Sequence, residues 1–436
     1  MLPANRLGFL AWVALAGSLS AADTVASLTL EQALASVERL SLTVLLSRET
    51  AAQAIEAVGQ QRSGILPNLT LSAQQRRSQG VSIATVVVSS GRPANRFDAL
   101  VTGNYALLKP DSMVAVDAAK VGVQVAEANY AAAVQGVLAD VATSYFTHLR
   151  NLRRLDVLDA NIARARSLLE LARNQLAAGV ATQIDVTRAE AQLSQAEQAR
   201  LQQVTSVYQS ELVLKRLLDI ETSRELRLEN FQVRRANPAL YTFSEEKSAF
   251  ERRAEYLAAQ RSVDQARLNV RSAGYERLPS LSLSGTFGYA APKFDDEKQD
   301  QWSFGVGMSV PIFDGLRTSA NRRIALSRQR AQEARLHHLE LQISAELRLA
   351  IQDASSRNAQ VSVAEKSLRL AQEELRLAQQ RYQQGVADNR EVVEAQNRLA
   401  VADDNLVEAI YQYHVSRVVL ARAKGEVRAV LAERNP

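Results

Sequence analysis

Glu391 and Glu394 are the two residues whose type and spacing best suit an electrostatic site. They lie three residues apart just after Gly385, so in a helix they share one face. Carboxylates that converge repel one another, attract cations and raise one another's pKa. The alternative is a solvated acidic face at the start of a helix, where the helix dipole favours negative charge. The two residues alone leave both interpretations open.

Catalytic and metal-binding chemistry has little support elsewhere in the sequence. The chain has no cysteine, which excludes disulfides, thiol catalysis and Cys-ligated zinc. Its histidines lack the spacing of a helical metal motif, and we expect all four to be solvated: His148, His337, His338 and His414. No glycine-rich phosphate loop or nucleophile triad occurs. We therefore predict no catalytic residue, no cofactor and no metal, which makes an exported enzyme the weakest interpretation.

The composition favours a helical protein that packs largely through alanine. Of 436 residues, 47% are hydrophobic but only 5% are aromatic. Charges of both signs are interspersed, and the formal net charge at pH 7 is only +5. No basic block is interleaved with aromatic residues, so we expect no binding to nucleic acid.

The first 22 residues have the pattern of a secretory signal peptide. Arg6 precedes an apolar run over residues 7–19, and the small residues at 20–22 offer a cleavage site. The run is too short to span a bilayer, and no later run approaches the ~18 apolar residues that a membrane helix needs. The sequence thus predicts an exported protein that can enter a membrane only through strands.

The chain contains two copies of one plan. Gly179 aligns with Gly385 at a shift of 206 residues (385 − 179), and the apolar residues around the first glycine recur around the second. Pro67 and Pro279, each in the motif LP-x-L-x-L-S, give a similar shift of 212 residues (279 − 67). Such a period indicates tandem duplication. We predict a signal peptide (1–22), a first structural repeat (23–230) and a second structural repeat (231–436).

Four segments have the period-2 alternation of two-faced strands. They cover residues 66–76, 97–108, 280–290 and 302–311. Strands of this length with long polar loops fit a membrane barrel, but such barrels begin at about eight strands, and lipid does not tolerate unpaired edges. The chain must therefore oligomerise, and three copies would supply twelve strands. Hairpins in a soluble sandwich are the alternative, although the sequence offers no further strands to complete one.

Three aromatic residues near the strand ends are candidates for the membrane interface: Tyr105, Tyr289 and Trp302. Such rings concentrate at the level of the lipid headgroups. Packing inside the protein is the competing interpretation for all three.

Very long helices are predicted between the strands. From Val361 to Tyr382, apolar or small residues follow an unbroken 4-3 rhythm, which is typical of coiled-coil packing. Residues 318–384 contain neither Pro nor Gly, and at ~1.5 Å per residue they span roughly 100 Å. Glycine ends each long helix because it adopts the left-handed conformation without steric cost. The other predicted helices cover residues 112–178, 184–218, 244–276 and 389–424.

The predicted fold class is mainly α with a membrane β-barrel. Long antiparallel coiled-coil helices extend from the barrel, and four strands per protomer contribute to a trimeric 12-stranded barrel. The alternative is an exported coiled-coil scaffold without a channel. A filament, however, does not need lipid-facing hairpins.

Four segments in this order resemble the TolC-like outer-membrane efflux family over the whole mature chain. They are SLTLEQAL at 27–34, the two LP strands, SVPIFDGLRTSAN at 309–321 and RYQQGVADNREVVEAQNRL at 381–399. The resemblance implies a homotrimer with a twelve-stranded barrel in outer-membrane lipid, whose helices form a long tunnel in the periplasm. It also implies an exit duct that works with a periplasmic adaptor (membrane fusion) protein and an inner-membrane transporter, in a tripartite efflux pump or a type I secretion system. The cargo is left open among drugs, metal ions and polypeptides.

The resemblance also implies roles for individual residues. The two hairpin tips would dock the adaptor, through Gly179, Val180, Ala181 and Thr182 and through Gly385, Val386, Ala387 and Asp388. Glu391 and Glu394 match two carboxylates that ring a closed periplasmic mouth, and Asp185 and Tyr382 match a pair that links neighbouring helices there. For Tyr382 alone, the heptad position favours simple packing instead. The basic partner expected at Ala387 is missing, and Arg390 and Arg188 are the candidate substitutes.

Overall fold

The computed structural model describes residues 27–78, 94–224, 226–228 and 246–428. The predicted signal peptide and the predicted boundary between the repeats, at 230/231, lie outside these ranges. The strands of the described part are β1 (Ser27–Leu28), β2 (Asn68–Ser78), β3 (Ala94–Leu108), β4 (Arg227–Leu228), β5 (Ser280–Ala291) and β6 (Gln299–Ser309). Its helices are α1 (Leu30–Leu40), α2 (Leu42–Ser63), α3 (Pro110–Ala177), α4 (Gln183–Leu217), α5 (Glu246–Arg252), α6 (Ala254–Tyr275), α7 (Arg317–Gln383) and α8 (Asn389–Ala423).

The main sheet is antiparallel, in the order β2, β3, β5, β6, so β2 and β6 have outer edges without a strand partner in the described part of the protomer. Directly opposed residues of an antiparallel pair lie on one face. One such row crosses all four strands through Leu71, Val101, Phe287 and Trp302. All four side chains are exposed. The sheet therefore has one broad apolar face that no other element of the described part covers.

At the end of the sheet that is distant from the long helices, the strands extend farther than the alternation predicts. β2 continues to Ser78, β3 already begins at Ala94, and β6 begins at Gln299. Polar residues still pair there, for example Arg76 opposite Arg96. Hydrogen bonds of the ladder use the backbone, so pairing continues after the apolar alternation has ended.

The two longest helices, α3 and α7, have 68 and 67 residues and are each about 100 Å long. Each packs against the helix that follows it, α4 and α8 respectively. Gly122 and Gly136 lie inside α3 without interrupting it. In the described part of the chain, no helix has an 18-residue stretch apolar enough to cross a membrane.

Alanine dominates one of the buried clusters, near the hairpin tips. Ala172 and Ala189 of the first hairpin and Ala378 and Ala395 of the second are at most 3% exposed. Small side chains let helix axes approach closely. A second cluster packs the middle of α3 against α1 and the end of α4, and it holds larger side chains, including Leu34, Leu138, Tyr145 and Leu214.

The predicted helix over residues 244–276 is interrupted. Its described part consists of α5 and α6, and Arg253 between them has an extended backbone (φ −80°, ψ 115°). The Arg253 guanidinium is buried and contacts Glu255 at 2.6 Å and Glu346 of α7 at 2.8 Å. A buried charge needs paired partners, and the break brings both carboxylates to this arginine.

The expectation that all four histidines are solvated is wrong for His148 and His414, which are 2% and 4% exposed. His148 shares a hydrogen bond with the Ser210 hydroxyl (2.9 Å). The His414 ring stacks on Phe146 with 4.7 Å between centroids, and burial lowers the pKa of His414 to about 3. Both imidazoles therefore serve as neutral core groups.

Candidate functional site at the hairpin tips

Each hairpin turns through a glycine in the left-handed region. Gly179 has φ +73° and Gly385 has φ +70°. The N–H of Val180 donates to the Gln175 carbonyl (2.9 Å), and the N–H of Val386 donates to the Arg381 carbonyl (3.0 Å). These bonds satisfy carbonyls that a helix end otherwise leaves unpaired. No atom lies within 4 Å of the place where a Cβ would stand on either glycine, so only the backbone conformation demands glycine here.

Both tips expose an apolar side chain beside the glycine. Val180 is 68% exposed and Val386 is 69% exposed. An isolated exposed valine is ordinary, but two of them occupy equivalent places on adjoining hairpins. The tips thus offer paired apolar contacts to a partner.

The helix after the first tip starts with a capping box. The Thr182 hydroxyl and N–H both donate to Oδ2 of Asp185, at 2.6 and 2.9 Å. Arg188 Nη1 lies 3.8 Å from Oδ1 of the same carboxylate. Burial opposes ionisation of Asp185, but the Thr182 hydrogen bonds and Arg188 outweigh it, so the pKa of Asp185 is lowered. Of the two candidate substitutes for the missing basic residue, Arg188 is therefore the one beside Asp185.

The helix after the second tip starts differently. Asp388 accepts hydrogen bonds from the N–H groups of Arg390 (3.0 Å) and Glu391 (3.3 Å). Asn389 is fully buried, and its Nδ2 donates to the backbone carbonyl of Asp185 (2.9 Å). This bond joins the first turn of α8 to the first turn of α4 and holds the two tips together.

Tyr382 lies beside this junction without the hydrogen bond that a pairing with Asp185 would need. Its side chain is 5% exposed, and its buried hydroxyl has no partner in the described part of the chain. Burial, followed by the nearby negative charge of Asp185, raises the pKa of Tyr382. The two residues are close, but Asp185 accepts its hydrogen bonds from Thr182. Tyr382 acts at the junction through the packing of its buried ring.

Glu391 and Glu394 carry arginine partners. Arg381 at the end of α7 lies 3.2 Å from Glu391. Arg390 lies 2.9 Å from Glu394, and Arg398 approaches the same carboxylate at 4.0 Å. These pairs are exposed, so each contributes modestly to stability. Their main effect is that the acidic face is largely neutralised inside the protomer.

Sequence reasoning missed Asn389, Arg381 and Arg398 as members of this site. The spacing of Arg390, Glu394 and Arg398, four residues apart along α8, was a readable signal for the pairs around Glu394. Nothing local pointed to Asn389, because its partner is 204 residues away in sequence.

The aromatic residues of the sheet all share its apolar face. Tyr105 is opposite Leu283 near the helical end, whereas Tyr289 and Trp302 lie near the far end. Tyr289 and Trp302 are exposed, and Tyr105 is half-buried. Six residues separate the levels of Leu283 and Tyr289 on β5, or about 20 Å along the strand at ~3.3 Å per residue.

The outer membrane efflux protein family model matches residues 25–219 and 247–426, which is most of the chain. The chain belongs to this family. Vibrio cholerae outer membrane protein TolC is 27% identical over 389 residues, covering 85% of each chain. The alkaline protease secretion protein AprF of Pseudomonas aeruginosa is 26% identical over 286 residues, covering 64% of this chain and 59% of AprF.

The fold agrees with the family. The Campylobacter jejuni CmeC outer membrane channel superposes with a TM-score of 0.80 at 19% identity, over 93% of this chain and 88% of that one. The predicted fold class is thereby confirmed: long helical hairpins below four antiparallel strands, in the arrangement of outer-membrane channels. The family places this protein in the outer membrane of a Gram-negative cell envelope. In the described residues, no group of His, Asp and Glu could hold a metal ion.

Proposed function

We propose that the protein is the outer-membrane exit duct of a tripartite efflux pump or a type I secretion system. Three copies form a trimer in outer-membrane lipid, and substrates pass passively through it from the periplasm. An inner-membrane transporter supplies the energy, and a periplasmic adaptor joins the two.

The uncovered sheet is the observation that carries this proposal. Four strands with two free edges and one apolar face are unstable alone in either water or lipid. Joining identical sheets edge to edge pairs every strand, turns the apolar face to lipid and encloses the small and polar face. A coiled-coil scaffold would have no use for such a face.

The hairpin tips are the proposed periplasmic mouth and docking surface. They lie at the opposite end of the ~100 Å helices from the sheet. Residues 179–182 and 385–388 supply the adaptor contacts, with Val180 and Val386 as the apolar anchors. Asp185, Tyr382, Glu391 and Glu394 form the gate, in which Asn389 ties the hairpins and the arginines balance the carboxylates.

Oligomeric state and conductance test the proposal. The mature chain, extracted from membranes in detergent, should have three times the protomer mass in light scattering. It should also give discrete conductance steps in a planar bilayer. A monomer recovered from the soluble periplasm would support the scaffold instead.

Adaptor docking has its own test. Because the chain lacks cysteine, a single cysteine at Val180 or Val386 gives one defined crosslinking site. A photoreactive maleimide at either position should capture an adaptor in cells. A cysteine at exposed Leu349, far up α7, is the matched control and should capture none.

A further inference from the structure

In the described part of the chain, the helices beneath the sheet form a layer that ends at α2 on one side and at α7 on the other. α2 packs against α3, α3 against α6, and α6 against α7. This repeats the strand order, because α2 leads into β2, α3 follows β3, α6 leads into β5 and α7 follows β6. If β6 of one copy pairs with β2 of the next, α7 of the first copy must lie beside α2 of the second.

The upper part of α7 exposes a seam suited to another helix. Its members repeat at alternating spacings of three and four, as in a coiled coil. All six are exposed in the protomer: Ile324, Ser327, Ala331, Ala334, His338 and Leu341. An exposed seam of this kind, with small residues at its centre, indicates an absent partner helix.

Arginines line both sides of this seam. Six arginines and one glutamate occur between Arg317 and His338. Five of the six have no carboxylate within ion-pair distance in the described part of the chain: Arg322, Arg323, Arg328, Arg330 and Arg335. Such a concentration of one sign is unfavourable unless an acidic surface faces it.

The free face of α2 offers the complementary surface. A shallow groove, largely open to solvent, runs along it between side chains of α2 itself: Glu49, Ala52, Gln53, Ile55, Glu56, Ala57 and Gln60. No basic residue lines the groove. Glu56 has no ionic partner in the described residues, and Glu49 has only its neighbour Arg48, at 3.7 Å.

The spacing of the charges matches along the two antiparallel helices. Glu56 and Glu49 lie 7 and 14 residues before the end of α2 at Ser63. Arg323 and Arg330 lie 6 and 13 residues after the start of α7 at Arg317. The two helix ends both adjoin the sheet, so each glutamate is level with one arginine to within about a helical turn, ~5 Å.

We propose that the arginine-lined seam of α7 docks into the acidic groove on α2 of a second copy of this chain, with Arg323 facing Glu56 and Arg330 facing Glu49. This contact packs neighbouring copies together below the strands. It rests on the proposed trimer but goes beyond it, because it names the helices and ion pairs that hold the copies together.

Charge reversal tests these pairs. Glu49→Arg with Glu56→Arg should lower the trimer-to-monomer ratio in detergent by at least ~10-fold, since each of three joints gains like charges. Arg323→Glu with Arg330→Glu should do the same, and the quadruple variant should recover most of the trimer. Lys366→Glu with Arg369→Glu, two exposed positions lower on α7, is the matched control and should keep the wild-type ratio.

A disulfide gives a second, independent measurement. Within one chain α2 and α7 are separated by two helices, so a direct bond between Cys substitutions at Glu56 and Arg323 must join different copies. Oxidation should give covalent dimers and trimers, whereas Glu56→Cys with Arg369→Cys should stay monomeric on a denaturing gel. Trimeric wild type with neither rescue nor disulfide would overturn this inference alone. Monomeric wild type would overturn the proposed function as well.

Discussion

The two hairpin tips have the same backbone conformation but differ in their side-chain chemistry. At the shift of 206 residues, Gly179 corresponds to Gly385, and both have positive φ. Asp185 corresponds to Glu391, and Arg188 corresponds to Glu394, so a basic position in the first tip is acidic in the second. Exposed Gln183 corresponds to fully buried Asn389.

This difference indicates which parts of a tip fix its shape and which parts adapt it. The glycine turn depends only on local backbone geometry, which both tips need. The first tip holds itself together through Thr182 and Asp185. The second tip bonds the first tip through Asn389, and the pair of Arg381 with Glu391 joins its own two helices. We therefore expect substitutions in the second tip to have the larger effect on closure.

The largest effect should come from the ring of Tyr382. Tyr382→Ala removes a buried aromatic and should lower the free energy of unfolding by about 3–5 kcal/mol, measured by denaturant titration. Leu176→Ala, at the equivalent and only partly buried place in the first tip, should cost less. Tyr382→Phe is the control, and it should be near neutral because the hydroxyl has no partner to lose. A large loss with Tyr382→Phe would mean that the hydroxyl is bonded after assembly.

The next largest effects should come from replacing the two glycines of the tips. Gly385→Val and Gly179→Val should each destabilise a tip by about 1–2 kcal/mol, because a β-branched residue is strained at positive φ. Trimers should persist while export falls, more steeply for Gly385→Val. Gly274→Val, also with open space around it but in an ordinary helix, is the control and should leave export intact. Equal export from both tip variants and wild type would argue against docking at the tips.

The bond between the tips should have an intermediate effect. Asn389→Ala removes the Nδ2 donor that bonds the Asp185 carbonyl across the two hairpins, and it should cost about 1–2 kcal/mol. In a planar bilayer the variant should open more often, since the first turns of α8 and α4 lose their hydrogen bond. Gln183→Ala, at the exposed equivalent, should behave like wild type. Identical open probabilities in both variants would remove Asn389 from the gate.

The cap of the first tip should respond to acid. The pKa of Asp185 is lowered from 3.8, so its contribution to stability is complete above that pH and is lost as pH falls through the lower, folded-state value. Asp185→Asn should lower the free energy of unfolding by about 1 kcal/mol at pH 7 and reduce the loss of stability at acid pH. Thermal unfolding followed between pH 6 and 2 measures both. If the variant loses as much stability between pH 6 and 2 as the wild type does, another group causes the acid sensitivity.

The smallest effect should be on ion selectivity. Glu391→Gln with Glu394→Gln should lower cation preference only slightly, because arginines already balance both carboxylates. Arg381→Gln with Arg390→Gln should raise cation preference by exposing the same charges. Reversal potentials in a salt gradient measure the cation preference of both double variants. If neither pair changes the reversal potential, the acidic face lies away from the pore.

Much of the fold follows from local pattern. Alternating side chains predicted four strands, and the 4-3 rhythm without Pro predicted helices of ~100 Å, because both signals repeat along one element. Where the pattern was weak the prediction was less accurate: the polar ends of β2 and β3 pair beyond the apolar alternation. The break between α5 and α6 at Arg253 was not predicted, since its reason is Glu346 on another helix.

The sequence by itself determined the elements, the glycine turns and the family resemblance, all of which depend on residues close together in the chain. Only the tertiary structure decided that Asn389 bonds Asp185, that Arg381 balances Glu391 and that His414 is a neutral core residue. It also decided that α2 and α7 end the helical layer with complementary charge. Each of these facts needs the spatial arrangement of segments that are distant in sequence or separated by a turn, and burial and pairing are properties of that arrangement.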